Sequence, residues 1–262
     1  MKVALGIEYA GERYCGWQKQ NHSPSVQEPL EASLSEIANQ PISVFCAGRT
    51  DTGVHATGQV VHFELSNLRP KTAWLRGANN KLPSDISIVW AKSVKDDFHA
   101  RFSAETRSYR YVIQNSEAPA AALSKKVTWY RRQLDETLMS EAAQSLLGTH
   151  DFSSFRASSC QANTATRTVK HISVNRVNQF IFIDITANAF LHHMVRNIVG
   201  CLLKVGDKSE RPGFVNHILT LHDRTKAPDT AKPDGLYLVG VGYPEVFAIP
   251  NPCNTPLGHN LA

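Results

Sequence analysis

Ala47-Gly48-Arg49-Thr50-Asp51-Thr52-Gly53-Val54-His55-Ala56-Thr57 lies between two runs with strand character. Ile42-Ser43-Val44-Phe45-Cys46 leads in and Gln59-Val60-Val61-His62-Phe63-Glu64-Leu65 leads out. A glycine stands on each side of an Arg-x-Asp, and glycine permits backbone angles that other residues resist. The stretch therefore predicts a tight, exposed turn that presents Arg49 and Asp51. A guanidinium and a carboxylate two residues apart suit a site that positions an anion and uses a nucleophile or base. The plainer reading is a surface turn whose aspartate caps its own backbone.

Working outward, Lys2–Tyr9 alternates Val3, Leu5, Ile7 and Tyr9, the period of a half-buried strand. Ser25-Val26-Gln27-Glu28 has capping-box form and opens a helix with Val26, Leu30, Leu34, Ile37 and Ala38 inward. A helix over 71–80 and a strand over 86–90 follow. The second half repeats the theme, with strands over 108–113, 169–177 and 180–186. Asn178-Gln179 is a hairpin turn between the last two. Helices are predicted over 135–147 (Leu138, Ala142, Ser145 and Leu146 on one face), 190–205 and 214–221, and a closing strand over 235–243. This order predicts an α+β fold of two ferredoxin-like, split βαβ halves. Their strands would join into a mixed, mainly antiparallel sheet with helices on one side and a central cleft. The halves are taken as 1–105 and 106–249, with 250–262 a mobile tail.

The 262 residues are 42% hydrophobic and 19% charged, which predicts a folded chain and excludes disorder. No run of about 18 apolar residues marks a membrane span. The N-terminus lacks the pattern of a signal peptide. The net charge of +5 permits a polyanionic partner without requiring one. Cys15, Cys46, Cys160, Cys201 and Cys253 form no CxxC and are odd in number. Neither a disulfide framework nor a metal site is expected, in keeping with a reducing cytoplasm. His192 and His193, read as helix neighbours, make a poor metal pair.

The string AGRTDTGVHATGQVVHF resembles the catalytic loop of the TruA-type tRNA pseudouridine synthases, which usually reads GRTD-A-GVHA. Three further segments resemble the same family: Phe98-His99-Ala100-Arg101-Phe102-Ser103-Ala104 with Thr106–Tyr111, Asn188–Gly200, and Gly235-Leu236-Tyr237-Leu238-Val239. The resemblance spans residues 2–245. It implies that Asp51 is the catalytic nucleophile or base, that Arg49 helps flip the target base, and that Arg196 pairs with Asp51. Tyr109 would stack on the uracil or serve the late proton transfer, while Tyr111 reads as a core residue. Leu236, with Leu238 as fallback, would lie under the ring. RNA contacts are implied for Phe98, His99, Ala100, Arg101 and Phe102, and for Ser159, Cys160, Gln161, Ala162 and Asn163; among the scattered basic residues, Arg69 is the one taken as a phosphate contact. The family often has an arginine where Asn163 stands; Arg167 is close by in sequence.

The implied reaction moves uracil from an N1 to a C5 glycosidic link and changes no composition, so no cofactor is expected. The implied substrate is tRNA, at uridines 38, 39 and 40 of the anticodon stem-loop, and the implied assembly a homodimer. An RNA-binding protein of the same fold without activity is the alternative. Thr52 replaces the usual alanine, and Ala10 stands where the family commonly has aspartate. Neither change removes a group the chemistry uses.

Overall fold

The computed structural model describes residues 1–119, 121–250 and 256. By contact the chain forms two compact units, Met1–Arg107 with Tyr237–Ala262, and Ser108–Leu236. The sequence reading assigns 106–249 to one half. By contact, residues 237–250 fold with the first unit instead. The tail over 250–262 lies almost wholly outside the described residues, as does Cys253.

The first unit is a mixed sheet with helical cover. Strands β1 (Lys2–Tyr9), β2 (Phe45–Cys46), β3 (His55–Glu64) and β4 (Ile86–Val94) pair antiparallel, with β1 between β3 and β4. The chain's closing strand, Leu236–Gly242, pairs parallel with β3, Tyr237 opposite His55. β1 buries Ala4 as well as Val3, Leu5, Ile7 and Tyr9, so both its faces are covered. Helix α1 (Gln27–Ala38) buries Val26, Leu30, Leu34 and Ala38 at its core face. Half of the expected capping box forms: Glu28 N–H donates to Ser25 Oγ at 3.3 Å. The Glu28 carboxylate lies 3.8 Å from Lys19 Nζ instead of closing the box.

Two expected elements differ. The strand over 42–46 shrinks to β2, although Ile42 and Val44 are buried. The helix over 71–80 is a wide π-type turn at Ala73–Ala78, which seats Trp74 edge-on against Phe63 at 5.3 Å.

The second unit is also α+β. Its strands are β5 (Thr106–Asn115), β6 (Thr128–Tyr130), β7 (Gly148–Asp151), β8 (Thr166–Val177) and β9 (Phe180–Ala187), and the closing strand above is β10. The order is β5-β9-β8-β7, with β6 parallel to β5. β8 and β9 form the predicted hairpin, and Asn178 takes the left-handed φ of 53° that its turn needs. Helix α2 (Glu136–Ala143) is capped by Asp135, which accepts from Leu138 N–H. Of the face expected, Ala142 and, just past the helix, Leu146 are buried, while Leu138 and Ser145 are only half-buried; Met139 and Ala143 join the core because α2 packs on β8 and on α3 (Met194–Gly206). α4 (Phe214–Leu221) completes the unit.

The helix expected over 190–205 begins only at Met194. His193 sits at φ 61°, a left-handed conformation that stops the helix from extending backward. His192 and His193 are therefore turn residues with rings 4.1 Å apart, and helical spacing does not govern them.

An ion pair holds the middle of this unit. Arg110 of β5 donates from Nε to Asp184 Oδ1 at 2.7 Å and from Nη2 to Oδ2 at 2.8 Å, with Asp184 on β9. Both side chains are buried, and the guanidinium also lies 5.1 Å from the Phe182 ring.

Candidate active site

The Asp51 loop is closed by main chain. Val54 N–H donates to Asp51 O at 3.1 Å, and Gly53 sits at φ 78° in the third position of that turn. A type II turn needs positive φ there, which explains a glycine at 53. Gly48 needs no such freedom, so only one of the two flanking glycines is conformationally required. The loop's base is tied down by Ala47 N–H to Val60 O (2.8 Å) and by Gln59 Nε2 to Gly48 O (2.7 Å). Arg49 is exposed at the tip and Asp51 is half-buried behind it. The loop thus offers an exposed cation to solvent and a sheltered carboxylate beside it.

Arg49 is not the only cation at this end of the unit. Burial pushes the Cys46 thiol up to about 11, and the Arg49 and Arg101 guanidiniums pull it the other way. Both arginines thus lie near the Cys46 side chain. Arg107 braces the same region, donating to Ala47 O (3.0 Å), Arg101 O (2.7 Å) and Ala104 O (3.0 Å).

The segment 98–102 divides sharply. Phe98 and Ala100 are fully buried, so their side chains belong to the core and not to an RNA-facing surface. Phe98 packs on Tyr243 and Phe247, each at 5.2 Å. His99, Arg101 and Phe102 face outward, and Phe102 is 77% exposed. The His99 ring lies 4.4 Å from Phe102 and 4.5 Å from His62, and His62 stacks on the exposed Phe45 at 5.2 Å. Arg101 lies 5.5 Å from the Phe102 centroid. The sequence reading missed Phe45 and His62, which meet His99 only once β2 pairs with β3.

His62 is a titratable part of this cluster. Burial first, then His99 and Lys2, bring its imidazole from 6.5 down to about 4. Its Nδ1 accepts the Ala100 N–H at 3.0 Å, which only a ring unprotonated at that nitrogen can do. The unfolded chain binds the His62 proton below pH 6.5 and the native one only below about 4. Stability is therefore lost as pH falls through that window. We expect the melting temperature to drop between pH 7 and 5, and less steeply in His62→Asn, which keeps an acceptor for Ala100. Equal slopes would remove His62 as the cause.

Arg69 is exposed and donates to Ala38 O at 3.2 Å, so it caps the C-terminus of α1 whatever else it meets.

In the second unit, Tyr109 is buried with its ring edge-on to Phe190 at 5.0 Å. Tyr111 is a core residue as read: its hydroxyl lies 2.6 Å from Thr128 Oγ1 and donates to Lys232 O at 2.7 Å, and burial raises its pKa. Arg196 is half-buried on α3 and donates from Nε to Ala231 O at 2.7 Å; it is no solvated surface arginine. Leu236 and Leu238 are both buried.

Residues 159–163 form a loop tied by Arg156, whose Nη2 donates to Cys160 O and Ala162 O, both at 2.8 Å. Ser159 Oγ lies 3.0 Å from His192 Nδ1, and Gln161 and Asn163 are exposed. Arg167 is anchored on Thr164 O (3.0 Å) and Thr166 O (2.6 Å). Among the described residues its buried Nε has no hydrogen-bond partner.

Comparison with known proteins identifies the family. A family model described as tRNA pseudouridine synthase matches residues 6–103 and 142–244. A tRNA pseudouridine synthase A of Pseudoalteromonas atlantica is 58% identical over 250 residues, covering 95% of each chain. One from Salmonella arizonae is 56% identical over 256 residues, covering 98% of this chain and 95% of its own. The solved structure titled Crystal Structure of a Cbf5-Nop10-Gar1 Complex aligns at a TM-score of 0.35 and 13% identity, over 77% of this chain and 45% of that one. That likeness is too slight to argue from. With the motif loop built as described, and with relatives this close over nearly their whole length, the chain belongs to the tRNA pseudouridine synthase family.

Proposed function

We propose that this protein isomerises uridine to pseudouridine in tRNA, at positions 38, 39 and 40 of the anticodon stem-loop. The observation that supports it most is the Asp51 turn: a sheltered carboxylate two residues from an exposed arginine, in a chain of this family.

The reaction breaks C1′–N1, turns the base, and joins C5 to C1′; the C5 proton leaves and N1 regains one. Composition is unchanged, so a carboxylate and a shaped site are chemically sufficient. Asp51 is the group assigned to act on the sugar or base. Arg49 is assigned to entering the space left by a flipped nucleotide. Flipping costs a few kcal/mol, least where a stem is weak, and the foot of the anticodon stem is such a place. Tyr109 is assigned to the extruded uracil and Arg196 to balancing the carboxylate charge. His99, Arg101 and Phe102, with Arg69 and the 159–163 loop, are assigned to the RNA around it. Such contacts position the RNA by backbone and shape more than by sequence. Arg167 is the proposed stand-in for the arginine missing at 163.

We place the protein in the cytoplasm, as a homodimer; a monomeric mass in sedimentation equilibrium would remove the dimer. No helix among the described residues is long and apolar enough to cross a membrane.

Pseudouridine mapping on an unmodified tRNA transcript, without added cofactor, tests the reading. The expected result is pseudouridine at the foot of the anticodon stem with the wild type and none with Asp51→Ala. Tight tRNA binding without any pseudouridine would instead support an inactive RNA-binding protein.

A further inference from the structure

The segment 9–17 lies directly on the Asp51 loop, and four hydrogen bonds join them. Tyr9 Oη and Thr50 Oγ1 are 2.8 Å apart in a buried pair. Trp17 N–H donates to Thr50 O at 3.1 Å, and Gly53 N–H donates to Tyr14 O at 3.3 Å. Gly11 N–H donates to His55 Nδ1 at 3.0 Å. The bonds bracket Asp51 at residues 50, 53 and 55, and none of the four uses Asp51 itself.

Packing makes the seat rigid. A Cβ on Gly11 would lie 1.9 Å from Val54 O, so the two backbones touch. His55 is buried and stacks on Tyr237 at 4.7 Å and 21°. Tyr9 lies 5.8 Å from the buried Trp17. The segment is in turn fixed to the start of β4, through Tyr14 Oη to Asp85 Oδ1 (2.6 Å) and Ala10 N–H to Asp85 O (2.9 Å). Asp51 therefore inherits its position from β1 and β4 through this clamp.

We propose that Tyr9 and Thr50 form a positioning pair, holding Asp51 where it can react, with His55 fixing the other end of the same turn. A reacting group displaced by about 1 Å can lose about a hundredfold in rate. Thr50 adjoins Asp51, so freeing its side chain loosens the carboxylate and leaves the RNA surface untouched. The inference rests on the proposed activity and on Asp51 as its reacting group.

A double-mutant cycle tests it, with Tyr9→Phe, Thr50→Val and the pair together, each removing a hydroxyl at nearly constant volume. The readout is the single-turnover rate of pseudouridine formation on tRNA transcript, at a temperature where every variant is folded. Each single variant should lose about tenfold in rate. The double variant should lose no more than the worse single one, tRNA affinity should stay within about twofold, and Thr50→Ser, which restores a hydroxyl, should recover the rate. Rates within about twofold of wild type in all three, or losses that simply add, overturn the proposal. If a single variant fails to fold, the double still reports, because it leaves no buried hydroxyl orphaned. Wild type inactive, or Asp51→Ala active, would instead mean that the functional reading itself has failed.

Discussion

Asp51→Asn should abolish turnover while sparing the fold and most of the tRNA affinity. The amide is nearly isosteric with the carboxylate, and the turn is held by main-chain bonds from Val54 and Gly53 that do not depend on the acid. It can neither attack a sugar or base nor accept a proton as a carboxylate does. A loss of more than about a thousandfold is expected, the scale seen when a nucleophile or base is removed. Single-turnover pseudouridine formation gives the rate, filter binding the affinity, and thermal melting the fold. Near-normal activity in a folded variant would strip Asp51 of its role. Loss of activity together with tRNA binding would recast it as a binding residue.

The largest effect on stability is expected at Asp184, far in sequence from that loop. Asp184→Ala takes from the buried Arg110 guanidinium the carboxylate that accepts two of its N–H groups, with both side chains withdrawn from water in the native protein. Removing one partner of such a pair costs about 3–5 kcal/mol. For a chain of this size that is roughly 10 °C in melting temperature. Replacing both partners, as in Arg110→Met with Asp184→Leu, should recover most of the loss, because no uncompensated charge remains. Denaturant unfolding of the two single variants and the double one decides the matter. A single variant as stable as wild type would mean that water reaches the pair. Tyr109 is the strand neighbour of Arg110, so a destabilised β5 should also lower activity.

What the sequence made legible was local chemistry. β1, α4 and the β8–β9 hairpin follow from period and turn residues, each decided within a few positions of its own signal. The Asp51 turn was legible for the same reason: flanking glycines mark a tight turn, and Gly53 takes the positive φ. Family membership was legible too, through four motif blocks spread over nearly the whole chain.

Other features depend on residues brought together from afar, which no window of sequence contains. Period alone carried the α3 helix back to Phe190, whereas a left-handed His193 ends it at Met194. Phe98 and Ala100 share a motif with His99, Arg101 and Phe102, yet packing against Tyr243 and Phe247 puts Phe98 in the core. Tyr9 reads as an ordinary strand residue until its hydroxyl is found beside Thr50. Likewise Arg110 reads as a polar strand position until β9 supplies Asp184. Backbone preference is a near-neighbour property and can be read along the chain. Burial, ion pairing and the seating of a reactive group depend on which strands lie side by side, and only the tertiary structure decides that.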